Sequence, residues 1–182
     1  MKIAFLDRDG VINEYPGDAE YVNNHREFKF IPGSAEGIAK LNRCGFKVYV
    51  ISNQAGVSKG LYSQNDLELI NKKMINQLAA QKASVSGIYY CIHHPHDNCN
   101  CRKPRTMLLE RALSGLDANS CKTFFIGDSF LDMNAARNFG SKSILVLSGK
   151  EKESNRENWE FEPDLVFENL LEAADYLCLN YA

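Results

Sequence analysis

Apolar residues along this chain fall into short runs that stop abruptly at polar or glycine positions. Stretches of helical period separate them. Ile3-Ala4-Phe5-Leu6 ends at Asp7, Phe46-Lys47-Val48-Tyr49-Val50-Ile51 at Ser52, and Thr123-Phe124-Phe125-Ile126 at Gly127-Asp128. Ile88-Tyr89-Tyr90-Cys91-Ile92 and Ser143-Ile144-Leu145-Val146-Leu147 repeat the form, and 164–167 supplies a shorter edge strand. Such bounded runs are the pattern of strands buried on both faces.

Helical spacing fills the intervals. Ser34 reads as an N-cap before Ile38 and Leu41, with Gly45 as the stop. Ser63 and Asp66 have capping-box spacing before Leu67, Ile70, Met74 and Leu78. Further helices are expected after Pro104 (Met107, Leu108, Ala112, Leu113), over 131–138 up to Gly140, and at the end through Leu170, Leu171, Ala174 and Leu177. Strand and helix alternate, which predicts an α/β fold with a parallel sheet flanked by helices. Residues 150–158 read as a surface loop, and 13–29 as a long loop, a type that is usually functional in a compact domain.

Length and charge narrow the classes. The 182 residues fit one domain, 1–182, and the intervals are too short for a large cap domain with its own core. The formal net charge of −2 offers nothing to a nucleic acid or an anionic membrane. No apolar run reaches the ~18–20 residues of a membrane span. The first residues lack the order of a secretory leader, so a cytoplasmic monomer is expected. Of six cysteines, three cluster with histidines, which reads as metal binding rather than disulfides.

The strand tips carry the chemistry. In an open α/β sheet, ligands bind at the carboxyl ends of the strands. Asp7 and Asp9 follow the first strand, Ser52 and Asn53 the second, and Asp128 and Asp132 the fourth; Arg102 and Lys103 sit in a loop before a helix. Each alone has an ordinary alternative: a polar turn, a solvated cation pair, or a helix cap for Asp128. Together they supply a carboxylate nucleophile, a second carboxylate for proton transfer, fixed donors, and acids for Mg²⁺, a hard oxygen-seeking cation.

Asp7-Arg8-Asp9-Gly10, Ser52-Asn53, Lys103 and Gly127-Asp128-Ser129-Phe130-Leu131-Asp132 resemble the four ordered motifs of the haloacid dehalogenase superfamily of phosphatases. The resemblance implies a Rossmann-like fold and a Mg²⁺-dependent phosphomonoester hydrolase. It makes Asp7 the nucleophile and Asp9 the general acid and base. Ser52 and Lys103 would hold the phosphoryl group, with Asn53 shaping the pocket. Asp7, the main-chain carbonyl of Asp9, and Asp128 would hold the Mg²⁺, and Asp132 would orient its neighbours.

Between 91 and 101 lie three thiols and three imidazoles. Cys91, His93, Cys99 and Cys101 make a Cys₃His set for structural zinc, with His94 and His96 as competing ligands. His93 is favoured because alternate residues of an extended segment share a side, as Cys91 and His93 do. The loop runs directly into Arg102-Lys103-Pro104, and this arrangement is similar to the branch holding the heptose bisphosphate and histidinol-phosphate phosphatases. Gly56-Val57-Ser58-Lys59-Gly60 is similar to a stretch of the heptose enzymes. That implies a phosphorylated sugar substrate, a heptose 1,7-bisphosphate losing its C7 phosphate, with Arg102 or Lys59 for the second phosphate. Histidinol phosphate is the alternative substrate. A catalytically idle sugar-phosphate-binding module is the alternative of another class; retention of both Asp7 and Asp9 argues against it.

Overall fold

In the computed structural model, residues 1–117 and 120–181 are described. The strands are β1 (Lys2–Leu6), β2 (Phe46–Asn53), β3 (Gly87–Cys91), β4 (Lys122–Gly127), β5 (Lys142–Val146) and β6 (Leu165–Phe167). The helices are α1 (Ser34–Arg43), α2 (Gln64–Ala80), α3 (Met107–Ala112), α4 (Phe130–Phe139) and α5 (Leu170–Tyr181). The six strands form one sheet in the order β3-β2-β1-β4-β5-β6, and every adjacent pair is parallel.

Alternation along the central strand sorts side chains to two faces. Ala4 and Leu6 join Val48, Val50, Phe124 and Ile126 in a core closed by α1, α2 and α5, through residues such as Ile38, Met74 and Leu170. Ile3 and Phe5 join Tyr49, Ile51 and Phe125 in a second core under α3 and α4. Burial on both faces is why β1 reads as an uninterrupted apolar run.

β1 pairs with both β2 and β4, with Leu6 opposite Val50 and Ile126. The chain winds out from β1 through β2 to β3, then returns to β4 on its other side. That reversal is a topological switch point, where a crevice opens beyond the strand ends. The Asp7 N–H donates to the Ile126 carbonyl at 3.0 Å, so the pairing carries one residue past β1 and sets Asp7 beside Gly127-Asp128.

One local expectation needs correction, and two features go beyond the sequence pattern. Ser34 is not the N-cap of α1: Gly33 takes that position at φ 84°, and the Ser34 hydroxyl donates to the Ile12 carbonyl instead. A neighbouring acceptor outcompeted the helix end. Residues 153–158, within the expected surface loop, form a 3₁₀ segment. Cys44 and Cys178 are joined by a disulfide tying the end of α1 to α5, with Cα atoms 5.7 Å apart. The Ser63–Asp66 capping box is present at α2 in both directions. No helix among the described residues is long and apolar enough to cross a membrane.

Candidate active site and thiol cluster

Beyond the strand tips opens a cleft of ≈ 430 Å³, lined by Asp7, Asp9, Ser52, Lys103 and Asp128, with Arg102 at its wall. Asp7 Oδ1 accepts from the Arg8 N–H at 2.7 Å and lies 2.9 Å from Lys103 Nζ. The buried Lys103 ammonium also lies 2.6 Å from Asp132 Oδ1 and donates to the Ile51 carbonyl at 2.9 Å. Three acceptors match its three N–H bonds, so the ammonium is fixed. Burial alone would lower its pKa; Asp132 and Asp7 outweigh that and raise it. Lys103 therefore keeps its charge.

Asp7, Asp128 and Asp132 each offer a carboxylate oxygen within 4.8 Å of the others. Lys103 is the cation paired with two of the three. Burial first, then Lys103 opposing and Asp132 adding repulsion, leaves the Asp7 carboxyl raised to about 6. Asp128 is raised well above its ordinary value, by burial and then by Asp132 and Asp7. Crowded carboxylate oxygens of this kind could hold a hard divalent cation; Asp132 is engaged by Lys103 and Ser129, which leaves Asp7 and Asp128 as the carboxylates for it. Backbone packs close around them: a Cβ on Gly10 or Gly149 would lie 2.1 or 2.0 Å from Asp128 Oδ2. Gly10 also has φ +83°, so a larger residue would be strained there twice over.

Asn53 holds the loop bearing Lys103. Its Oδ1 accepts from the Lys103 N–H at 3.0 Å, and its Nδ2 donates to the Lys103 carbonyl at 3.3 Å. Both ends of that amide are spent on backbone, which makes Asn53 a clamp on Lys103. Ser52, 1 % exposed, keeps its hydroxyl at the cleft. Asp132 caps α4, its Oδ2 accepting from the Ser129 hydroxyl and N–H, while its Oδ1 faces Lys103. Arg102 is half-buried at the cleft wall, and its Nη1 is enclosed without a hydrogen-bond partner among the described residues.

Lys59 stands beside the wall rather than in it, over the cleft-lining Tyr21. Its ammonium lies over the Tyr21 ring, 5.2 Å from the centroid, and it is absent from the cleft lining. Tertiary structure brings Lys150 instead. The Lys150 N–H donates to Asp128 Oδ2 at 2.8 Å, and its side chain lines the cleft 3.6 Å from Asp18. Leu147-Ser148-Gly149 just beyond β5 held the signal, since strand ends face the crevice, but the polar composition of 150–158 masked it.

The thiol cluster begins where β3 ends. Cys91 Sγ lies 3.7 Å from His93 Nδ1 and 3.5 Å from Cys99 Sγ; Cys101 Sγ lies 3.2 Å from His93 Nδ1 and 3.6 Å from Cys99 Sγ. A tetrahedral ion with Zn–S of about 2.3 Å and Zn–N of about 2.0–2.1 Å separates its ligand atoms by roughly 3.5–3.8 Å. Three of these separations fall in that range and the fourth, 3.2 Å, is a few tenths short, so the four atoms stand near the spacing that a zinc ion takes. His94 and His96 face each other: the His96 N–H donates to His94 Nδ1, and Pro95 opens a 3₁₀ turn. Arg105 Nη1 donates to the carbonyls of Asn98 and Cys99, supporting the loop from outside. The loop is fastened at both ends to the tip of β2: Cys91 accepts from the Gln54 N–H at 2.7 Å, and Lys103 is held by Asn53.

Comparisons with known proteins agree with this geometry. A HAD-hydrolase-like family model matches residues 100–173. The D-glycero-beta-D-manno-heptose-1,7-bisphosphate 7-phosphatase of Neisseria meningitidis serogroup A is 34 % identical over 179 residues, covering 97 % of this chain and 95 % of that protein. The enzyme of the same name from Pseudomonas putida is 38 % identical over 93 % of this chain and 95 % of its own. Among solved structures, the D,D-heptose 1,7-bisphosphate phosphatase of B. bronchiseptica, complexed with magnesium and phosphate, superposes at a TM-score of 0.91 with 33 % identity and full coverage of both chains. By descent and by fold, the chain belongs to the haloacid dehalogenase-like hydrolases, in the family of the heptose-1,7-bisphosphate 7-phosphatases.

Proposed function

We propose that this protein, as one catalytic domain, hydrolyses the C7 phosphate of D-glycero-D-manno-heptose 1,7-bisphosphate through an aspartyl-phosphate on Asp7. The observation that carries the reading is the convergence of Asp7, Asp9, Ser52, Lys103 and Arg102 on one cleft. Lys103 and the Arg8 N–H both hold Asp7 Oδ1, which leaves Oδ2 to attack phosphorus. The bond between phosphorus and the C7 oxygen breaks as Asp7 bonds, and Asp9 gives its proton to the departing oxygen. Asp9 then takes a proton from water as that water attacks phosphorus, which frees Asp7 and releases phosphate. Ser52 donates to a phosphoryl oxygen, and Lys103 offsets charge there.

Asp7, Asp128 and the Asp9 carbonyl would hold Mg²⁺, with Asp132 orienting Lys103. The ion would supply a fixed positive charge facing the transferred phosphoryl oxygens. Cys91, His93, Cys99 and Cys101 would hold a structural zinc, which would fix Arg102 and Lys103 at the exit of the loop. Arg102, a cation in the cleft lining, is suited to the anionic second phosphate. The relatives' names favour the β anomer as the first substrate to test.

The experiment is a side-by-side comparison of kcat/KM for both heptose bisphosphate anomers, fructose 1,6-bisphosphate and histidinol phosphate. A heptose bisphosphate is expected to lead. If histidinol phosphate won by more than about tenfold, ~1.4 kcal/mol of transition-state preference, the heptose assignment would fail while the hydrolytic chemistry stood.

A further inference from the structure

Among the cleft carboxylates, Asp9 is held by a separate set of donors. Its Oδ1 accepts from Arg8 Nε at 3.2 Å, Arg8 Nη2 at 3.0 Å and Asn13 Nδ2 at 2.9 Å. Its Oδ2 accepts from Arg8 Nη2 at 3.0 Å and Gln54 Nε2 at 2.8 Å. Arg8, Asn13 and Gln54 are each 0 % exposed. A fully buried guanidinium is expensive unless paired, and this one spends its charge on a single carboxylate at the cleft.

Gln54 is the pivot of the arrangement. Its Oε1 accepts from Arg8 Nη2 at 3.0 Å and from the Tyr62 hydroxyl at 2.7 Å. Its Nε2 donates to Asp9 Oδ2 and to Ser52 Oγ at 3.1 Å. Two donors meet one end of the amide and two acceptors the other. A flipped amide would set NH₂ against a guanidinium and a carbonyl oxygen against a carboxylate, so only one orientation is satisfied. Its length spans the gap between Ser52 and Asp9.

We propose that Gln54, locked by Arg8 and Tyr62, is a positioning residue that aims Asp9 at the leaving-group oxygen and ties that aim to Ser52. The inference rests on the proposed reaction, in which Asp9 protonates the departing oxygen. A carboxylate turns freely about its side-chain bonds, whereas proton transfer in the transition state needs hydrogen-bond reach. Donors on both oxygens remove that freedom. The link to Ser52 places the proton donor and a phosphoryl-holding hydroxyl on one rigid unit, so both meet the same bound phosphate.

The test uses the dependence on leaving group. Protonation matters greatly for an alkoxide and little for 4-nitrophenolate, which departs readily without a proton. The variants Gln54→Met and Tyr62→Phe are compared with wild type by kcat/KM on D-glycero-D-manno-heptose 1,7-bisphosphate and on 4-nitrophenyl phosphate, in the 182-residue protein with Mg²⁺. Gln54→Met is expected to lose about tenfold or more on the alkyl phosphate, part of the ~10²–10⁴ that a general acid contributes. On the aryl phosphate it should lose less than about threefold. Tyr62→Phe removes one hydroxyl and should show the same selectivity at about two- to fivefold, which keeps the test open if Gln54→Met folds poorly. Equal losses on both substrates, or no loss on either, would overturn the positioning role alone. A wild-type protein inactive on both, or an Asp7→Asn variant with undiminished turnover, would overturn the phosphatase reading together with it.

Discussion

At the strand tips, Asp7, Asp128 and Asp132 crowd around a buried Lys103, and each is fixed by sheet or helix backbone within a residue or two. In the loop from 91 to 101, four soft donors converge with little regular structure between them. The first region is positioned by the hydrophobic core: β1 is buried on both faces, so its end cannot shift without dislodging the sheet. The second has few apolar side chains to bury and depends on its own ligand atoms. Buried like charge in one region and clustered thiols in the other both point to cations, but of opposite kinds: a hard ion at the carboxylates and a soft-tolerant one at the sulfurs. The regions meet at Lys103, which belongs to the charge cluster by its side chain and to the thiol loop by its backbone.

The sharpest way to separate them begins with Asp7→Asn. It keeps the shape and removes the attacking carboxylate, so phosphate release should fall to background while the thiol loop keeps its metal content. Undiminished turnover would break the covalent mechanism.

Lys103→Met strikes the junction. It leaves Asp7 and Asp132 facing each other without their cation, and breaking a buried pair this way costs roughly 3–5 kcal/mol. Activity should fall by about 10²–10³-fold and the melting temperature should drop, as read by steady-state kinetics and calorimetry.

Cys99→Ser tests the loop alone. The zinc proposed for the loop, one per chain in the parent protein by elemental analysis, should be lost, and kcat should decline by about 10–100-fold as Arg102 and Lys103 lose their anchor. A fully active, metal-free Cys99→Ser protein would show that the loop does not position the site.

Removing the hard cation should make the tips pH-sensitive. Asp7 is raised from 3.8 to about 6, so the protonated acid is favoured in the folded state. For a carboxylate raised on folding, the sign runs opposite to the salt-bridged case: stability is highest below pH ~4, falls as pH rises through about 6, and levels above it. Denaturant titrations of protein dialysed free of Mg²⁺ without a zinc chelator should show stability rising from pH 7 to pH 5, and added Mg²⁺ should reduce that gain.

The smallest effect is expected at Lys59. Lys59→Ala, which removes an ammonium lying over the cleft-lining Tyr21 ring but itself not in the lining, should change kcat/KM by less than about twofold. Arg102→Ala at the wall should raise KM for a bisphosphate more than for a monophosphate.

Particular residues show where sequence pattern sufficed. Asp7 and Asp128 were legible because each ends an apolar run, and strand ends face the crevice in this fold class. The Ser63 cap and the Leu67–Leu78 stripe depend on neighbours within one helix, and they form as expected. Ser34 was misread because its hydroxyl found Ile12, 22 residues away. Gln54 drew no reading of its own from the sequence, since its four partners are spread over residues 8, 9, 52 and 62. Lys150 lines the cleft and Lys59 sits over Tyr21 beside it, because cation spacing along the chain says nothing about which loop folds over the sheet.

The sequence by itself determined the alternating α/β pattern, the acid-bearing strand ends and the density of thiols between 91 and 101. Those follow from periods of two and 3.6 and from donor chemistry, all of which are local. Only the tertiary structure decided that β1 lies between β2 and β4, which side-chain amide locks Asp9, and that Cys44 meets Cys178. Each of these joins residues distant in the chain. Their partners are selected when both faces of the sheet are buried at once, and no local period records that choice.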